Sequence, residues 1–115
     1  MSIFRLSYAL ELAKNDRIAF KRHAIIRMQQ RGIKADDIKS MLLSAEVVEQ
    51  YQQDHTLPSA LLLGVTPSQR SLHAVVASDS VDDGILWVIT VYEPDQQFWE
   101  SDLKTRRSQN VVSTV

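Results

Sequence analysis

The sequence predicts one α+β domain: N-terminal helices packed on one face of a four-stranded antiparallel meander sheet. Three observations carry this. Apolar residues recur at helical spacing as far as about residue 44, and from Val47 the period changes to two. The two-period segments follow one another across short turns, which joins neighbouring strands antiparallel. Helices first and strands second is the order of an α+β layer, in which one sheet face takes the helices. The other sheet face is then expected to be partly open to solvent or a ligand.

In chain order, residues 3–14 place Ile3, Leu6, Leu10 and Ala13 on one helical stripe, with Ser2 as a capping residue. Asn15-Asp16 reads as the stop, and Arg17–Phe20 as a short extended entry. A second helix over 21–31 carries Ala24, Ile25 and Met28 inward. Gly32 stands where a helix-ending glycine belongs, because only glycine takes the left-handed conformation without steric cost, and Ile33 can pack back on the helix end. A third helix over 35–44 places Ile38, Met41 and Leu42 on one face, with Asp36 and Asp37 in its first turn to complement the dipole. Strands are expected at 46–52, 59–65, 70–78 and 85–92. They are punctuated by Leu57-Pro58, by Thr66–Gln69, and by the stretch from Asp79 to Gly84. Pro94 ends the last strand, and Asp95–Trp99 reads as a helical turn with Phe98 and Trp99 as anchors. The ordered domain is expected over 1–107, with polar residues from 104 onward fraying into a tail and 108–115 disordered.

The 115-residue length suits one domain that buries a core without cross-links, and 44% hydrophobic with 23% charged residues is ordinary globular composition. There is no cysteine, which excludes disulfides, thiolate metal sites and a cysteine nucleophile. Three glycines cannot build a glycine-rich phosphate loop, and no serine-hydrolase, zinc-protease or calcium-loop pattern occurs. No metal and no cofactor is therefore expected. The first residues lack a secretory pattern and no run approaches a membrane span, so a cytoplasmic location is expected. The formal net charge of -1 conceals polarity. Lys14, Arg17, Lys21, Arg22, Arg27, Arg31 and Lys34 crowd residues 14–34 against Asp16 alone, whereas residues 79–102 hold acids and no Lys or Arg.

His23, Arg27 and Arg31 recur every fourth residue, which sets them in a slowly turning row on the second helix. Guanidiniums present a planar fork to phosphate oxygens, and an imidazole moves protons near neutral pH. The plainer alternative is a solvated helix face with Arg27 or Arg31 bridged to an acid. His73 alternates with Leu72 and Ala74 inside a strand, so it points to solvent, to a site, or to a buried hydrogen-bond partner. Tyr92 ends the last strand, either as a site residue or as a packing tyrosine with its hydroxyl at the rim. His55 reads as an exposed loop residue.

The block Phe20-Lys21-Arg22-His23-Ala24, Arg27-Met28, Arg31-Gly32-Ile33 and Asp37-Ile38 resembles the start of a bacterial family of domains of unknown function, DUF4258. Pro58-Ser59, Leu63-Gly64, Leu72–Val75 and Ile89–Asp95 followed by Trp99-Glu100 fit the same pattern, so the resemblance spans roughly 3–107. Lys34 departs from it, standing where a capping Ser or Thr is commoner, and the tail after Arg107 is extra. The resemblance implies a fold similar to the RelE- and BrnT-like toxins and pairing with a small antitoxin-like protein. It also implies metal-independent RNA cleavage. In such chemistry a base takes the ribose 2′-OH proton, an acid protonates the leaving 5′-oxygen, and cations steady the phosphate. The expected roles are His23 or His73 as acid or base and Tyr92 as acid or orienting group. Arg27 and Arg31, flanked by Lys21 and Arg22, are expected to hold phosphate. The competing expectation is a non-catalytic module that binds nucleic acid or protein, and an exposed sheet edge would suit a homodimer.

Overall fold

The computed structural model describes residues 3–51, 57–78 and 84–108. Its elements run α1 (Leu6–Lys14), β1 (Ile18–Phe20), α2 (Arg22–Arg31), α3 (Ala35–Leu43), β2 (Glu46–Tyr51), β3 (Ser59–Val65), β4 (Ser71–Ser78) and β5 (Leu86–Tyr92). The expected Ser2 cap, the Gln52 strand end, His55, most of the Asp79–Gly84 turn and all but the first residue of the expected 108–115 tail lie outside the described residues.

The sheet has five strands in the order β1-β5-β4-β3-β2, and the expected four form its antiparallel meander. The fifth is the segment read as an extended entry. Ile18, Ala19 and Phe20 pair parallel with Leu86, Trp87 and Val88, so the sheet is mixed rather than purely antiparallel. Three residues are too few to show a period, and their partner lies far along the chain.

One sheet face carries Ala60 and Leu62 of β3, Leu72, Ala74 and Val76 of β4, and Leu86, Val88 and Val91 of β5, all fully buried against the helices. α1 starts later than the sequence suggests, at Leu6 with no side-chain cap at Arg5. Its stripe is therefore Ala9, Leu12 and Ala13, joined by Phe4, whereas Ile3 is exposed. α2 buries Ala24 and Met28 and leaves Ile25 outside. Gly32 ends it at φ +64°, and the Ile33 N–H closes on the Met28 carbonyl at 2.9 Å, so Ile33 is buried as expected. α3 buries Ile38, Met41 and Leu42. Lys34 has no acceptor to cap with, but the Asp37 carboxylate accepts the Lys34 backbone N–H at 2.9 Å. α3 rides directly on the β3 backbone: a Cβ on Gly64 would lie 2.0 Å from the Met41 carbonyl oxygen.

The opposite sheet face is not open at the β5 end. After Pro94 the chain turns back and lies across it. The expected turn at 95–99 forms as a single turn, with the Phe98 and Trp99 N–H groups donating to the Asp95 carbonyl at 2.9 and 3.1 Å, but of its two expected anchors only Trp99 is buried, while Phe98 is 54% exposed. Residues 104–107, expected to begin a frayed tail, instead pair back on this segment. Trp99 bridges Arg106, the Glu100 N–H donates to the Thr105 carbonyl, and the Arg107 N–H donates to the Phe98 carbonyl. Asp102 closes the tip by accepting from the backbone of Lys104 and Thr105.

A candidate site on the covered face of the sheet

Strand register builds this face in rows. Glu46, Leu63, His73 and Tyr92 are successive cross-strand partners from β2 to β5. The next row holds Glu49, Leu61, Val75 and Thr90, and the one after it Tyr51, Ser59, Ala77 and Trp87. Period two, with a register shift between Val47 and Glu49 in β2 and one opposite Val75/Val76 in β5, puts all of these on the side away from the helices.

His73 is the centre of the arrangement and has no solvent exposure. Its Nε2 lies 2.7 Å from the Leu103 carbonyl oxygen. A carbonyl only accepts, so Nε2 carries the hydrogen. In the neutral ring Nδ1 is then the acceptor, and the Tyr92 hydroxyl donates to it at 3.2 Å. Trp99 meets the imidazole edge-on with ring centres 4.6 Å apart. Burial pushes the His73 pKa below that of a free imidazole, against the opposing pull of the Leu103 carbonyl. Burial likewise pushes Tyr92 up.

Beside this pair, Glu49 accepts a fork from Arg106, with Nε at 2.6 Å and Nη2 at 3.0 Å, and accepts the Tyr51 hydroxyl at 2.8 Å. The Arg106 contact holds the Glu49 carboxyl below its ordinary range. Burial, then the Glu49 hydrogen bond, pushes Tyr51 up to about 12. The Arg106 guanidinium also stacks on Trp99, with its carbon 4.6 Å from the ring centre. Lys104 reaches Glu46 at 3.2 Å.

The helix row stands elsewhere. α2 packs on the other side of the sheet, over β5, with Ala24 and Met28 in the core. His23 is exposed on that side, so the structure brings His73 together with Tyr92 but not with His23. A single site built from both histidines is not formed. Lys21, Arg22 and Arg31 are also exposed and Arg27 is half-buried. Lys21, which precedes α2, turns instead toward the covered face, its ammonium 4.3 Å over the Trp87 ring. Among the described residues, the ion pairs are made by Lys39, Arg70, Lys104, Arg106 and Arg107, and none involves a cation of α2. The acid bridge to Arg27 or Arg31 is thus absent from the described residues.

No group of three or more His, Asp or Glu among the described residues is placed to hold a metal. Surface depressions beside β1 (Asp16, Ile18, Phe20, Lys39) and along α1 (Arg5, Tyr8, Glu11) are not lined by the His73 cluster. No helix among the described residues is long and apolar enough to cross a membrane.

A family model described as a domain of unknown function, DUF4258, matches residues 20–93. The chain belongs to the DUF4258 family. No curated protein and no solved structure matches it. The DUF4258 segment contains α2 with its cations, and the sheet residues Glu49, Tyr51, His73 and Tyr92. It ends one residue past β5, so Trp99, Leu103 and Arg106, which cover His73, come from beyond it.

Sequence reasoning missed Glu49, Tyr51, Arg106 and the Leu103 carbonyl. The first two left a signal: Glu49 and Tyr51 are two apart in a strand and therefore share a face. Leu103 and Arg106 left none, because a main-chain acceptor has no side-chain signature and the return of the strap is a tertiary event.

Proposed function

We propose that this DUF4258 chain is an RNA-binding domain that takes phosphates along the exposed face of α2. The observation that supports it is that no cation of α2 has an acid partner among the described residues, whereas Lys39, Arg70, Lys104, Arg106 and Arg107 each have one. Arg22, Arg27 and Arg31 supply permanent charge on the helix, and Lys21 just before it adds a fourth cation. Ile25 and Ile26, 44% and 40% exposed beside them, offer apolar contact to bases or sugars. The test is anisotropy of a labelled single-stranded RNA titrated with protein at several salt concentrations. Four phosphate contacts give a log–log slope of about -3. Arg27→Ala with Arg31→Ala removes two contacts, cuts the slope to about half and weakens binding at least tenfold. Absence of binding at low salt, or binding indifferent to these changes, refutes the reading.

Metal-independent RNA cleavage, in the manner of the RelE- and BrnT-like toxins, is the second reading. The His73–Tyr92 contact favours it, because it joins a neutral imidazole to a phenol. In that reading the 2′-oxygen attacks phosphorus and His73 takes its proton. The P–O5′ bond breaks, and Tyr92 protonates the leaving oxygen. A small antitoxin-like partner belongs to this reading alone. Incubation of the protein with labelled RNA in EDTA tests it: a 2′,3′-cyclic phosphate product lost in His73→Ala supports cleavage, and intact RNA rejects it.

A further inference from the structure

The segment over His73 folds back on itself. It is stitched to itself through the Trp99–Arg106 bridge, the Glu100–Thr105 and Phe98–Arg107 hydrogen bonds, and the Asp102 turn. These contacts hold its two limbs together without any residue of the face below. Four polar and ring contacts tie it to the sheet face, besides the burial of Trp99. They are the His73–Leu103 hydrogen bond, the Trp99 edge contact, and two half-exposed ion pairs to Glu46 and Glu49. Leu103, which supplies the carbonyl that caps His73, sits at φ +61°, a left-handed conformation disfavoured by its Cβ and relaxed on release.

The face beneath is preformed. Tyr51 still donates to Glu49, and Tyr92 still meets His73, without any residue of the strap. What the strap satisfies is the outward Nε2–H of His73 and the carboxylate of Glu49. A ligand on the open face meets one hydrogen-bond donor and one acceptor, beside a floor of Leu61, Leu63 and Val75. The family match stops at residue 93, so the sheet face and its cover are separate parts of the chain.

We propose that residues 94–107 are a strap that opens as a unit from the otherwise folded protein and uncovers Glu49, Tyr51, His73 and Tyr92 as a preformed site. Opening is measured without nucleic acid, so its outcome is independent of the RNA readings.

The experiment is diethyl pyrocarbonate modification at neutral pH, read by peptide mass spectrometry, with exposed His23 as the internal reference. In the wild-type protein His73 reacts far more slowly than His23, at a rate that low urea leaves nearly unchanged, the signature of local opening. Lys104→Ala with Arg106→Ala speeds His73 modification about tenfold with little change in the global unfolding midpoint. Raising salt on the unmutated protein acts in the same direction by screening both ion pairs, so the test survives even if the variant folds poorly. The chain has no cysteine, so a Glu46→Cys/Lys104→Cys pair joined by a short bis-maleimide gives a clean tether, and it slows His73 modification below wild type. If His73 reacts only as fast as global unfolding allows, with the full urea dependence of that transition, the strap is part of the cooperative core and the proposal fails. It fails equally if the double variant gains reactivity only in proportion to lost global stability.

Discussion

Replacing Gly64 by alanine tests the close approach of α3 to the β3 backbone. The added methyl would start 2.0 Å from the Met41 carbonyl oxygen and 2.8 Å from the carbonyl carbon, both main-chain atoms of α3. Ordinary contact is about 3.4 Å or more, so α3 and β3 must separate by roughly 1.4 Å at this point. No side chain can swing aside, and α3 buries Ile38, Met41 and Leu42 through the same interface. Overpacking of this kind costs about 1–3 kcal/mol. Alanine recovers roughly 0.5–1 kcal/mol over glycine within a strand or helix, so the net loss is about 1–2 kcal/mol. For a domain this size that lowers Tm by roughly 4–10 °C. Urea unfolding followed by tryptophan fluorescence and far-ultraviolet circular dichroism measures it, with the slope checked for two-state behaviour. A Gly64→Ala protein as stable as wild type would mean that α3 does not ride on the β3 backbone, and the packing argument would be wrong.

Other outcomes follow from separate features. Gly32→Ala meets no atom within 4 Å, but it forces a methyl-bearing residue to φ +64°. It costs about 1 kcal/mol, and Gly32→Asn costs less, by the same urea assay. Arg70→Ala frees the carbonyls of Arg31 and Gly32, which its guanidinium holds at 3.1 and 3.3 Å, and breaks the Glu93 pair. With both side chains partly exposed the loss is about 1 kcal/mol, and amide exchange should rise selectively at the end of α2. His73 has a lower pKa folded than unfolded, so the unfolded chain binds more protons as pH falls below about 6.5. Stability therefore declines from there toward the folded pKa, and Glu49, whose folded pKa is also lowered, adds loss below its ordinary 4.5. His73→Gln flattens the first part of this acid limb. Tyr51 acts at the other extreme: stability falls as pH rises from 10 toward about 12, and Tyr51→Phe removes that part of the alkaline limb.

The helices and the four meander strands were legible because each has a strong local period and a turn or cap beside it. Gly32 with Ile33 shows this most clearly, since the residue type and the conformation coincide. β1 was illegible as a strand because Ile18-Ala19-Phe20 owes its state to a partner at Leu86–Val88, not to its own pattern. The fate of Arg106 was hidden for the same reason: a polar stretch looks unstructured until an acid on a distant strand pairs with it. In the site, the placement of His73 opposite Leu72 and Ala74 told which face it shared. It did not tell that Tyr92 is its direct cross-strand partner, which depends on register. The row His23, Arg27, Arg31 was correctly placed on one helix, but periodicity within a helix cannot say which side of a sheet the helix will take.

The parallel docking of β1 on β5 also orders the assembly of the chain. β3 and β4 are joined by a tight turn, and β2 through β5 are sequential neighbours, so their pairing closes short loops. β1 has no sequential neighbour in the sheet and waits for the strand made last. During synthesis α1, β1 and α2 are released long before Leu86–Tyr92 exists to receive them, and the final pairing closes the longest loop in the fold. Until it does, the flank of β5 that will receive Ile18–Phe20 is an unpaired edge rich in Val and Ile, the kind of surface that recruits other chains. Three short residues thus act as the closing stitch of the sheet, and substitutions in Ile18–Phe20 should show first as aggregation during folding, before any loss in the finished protein is measurable.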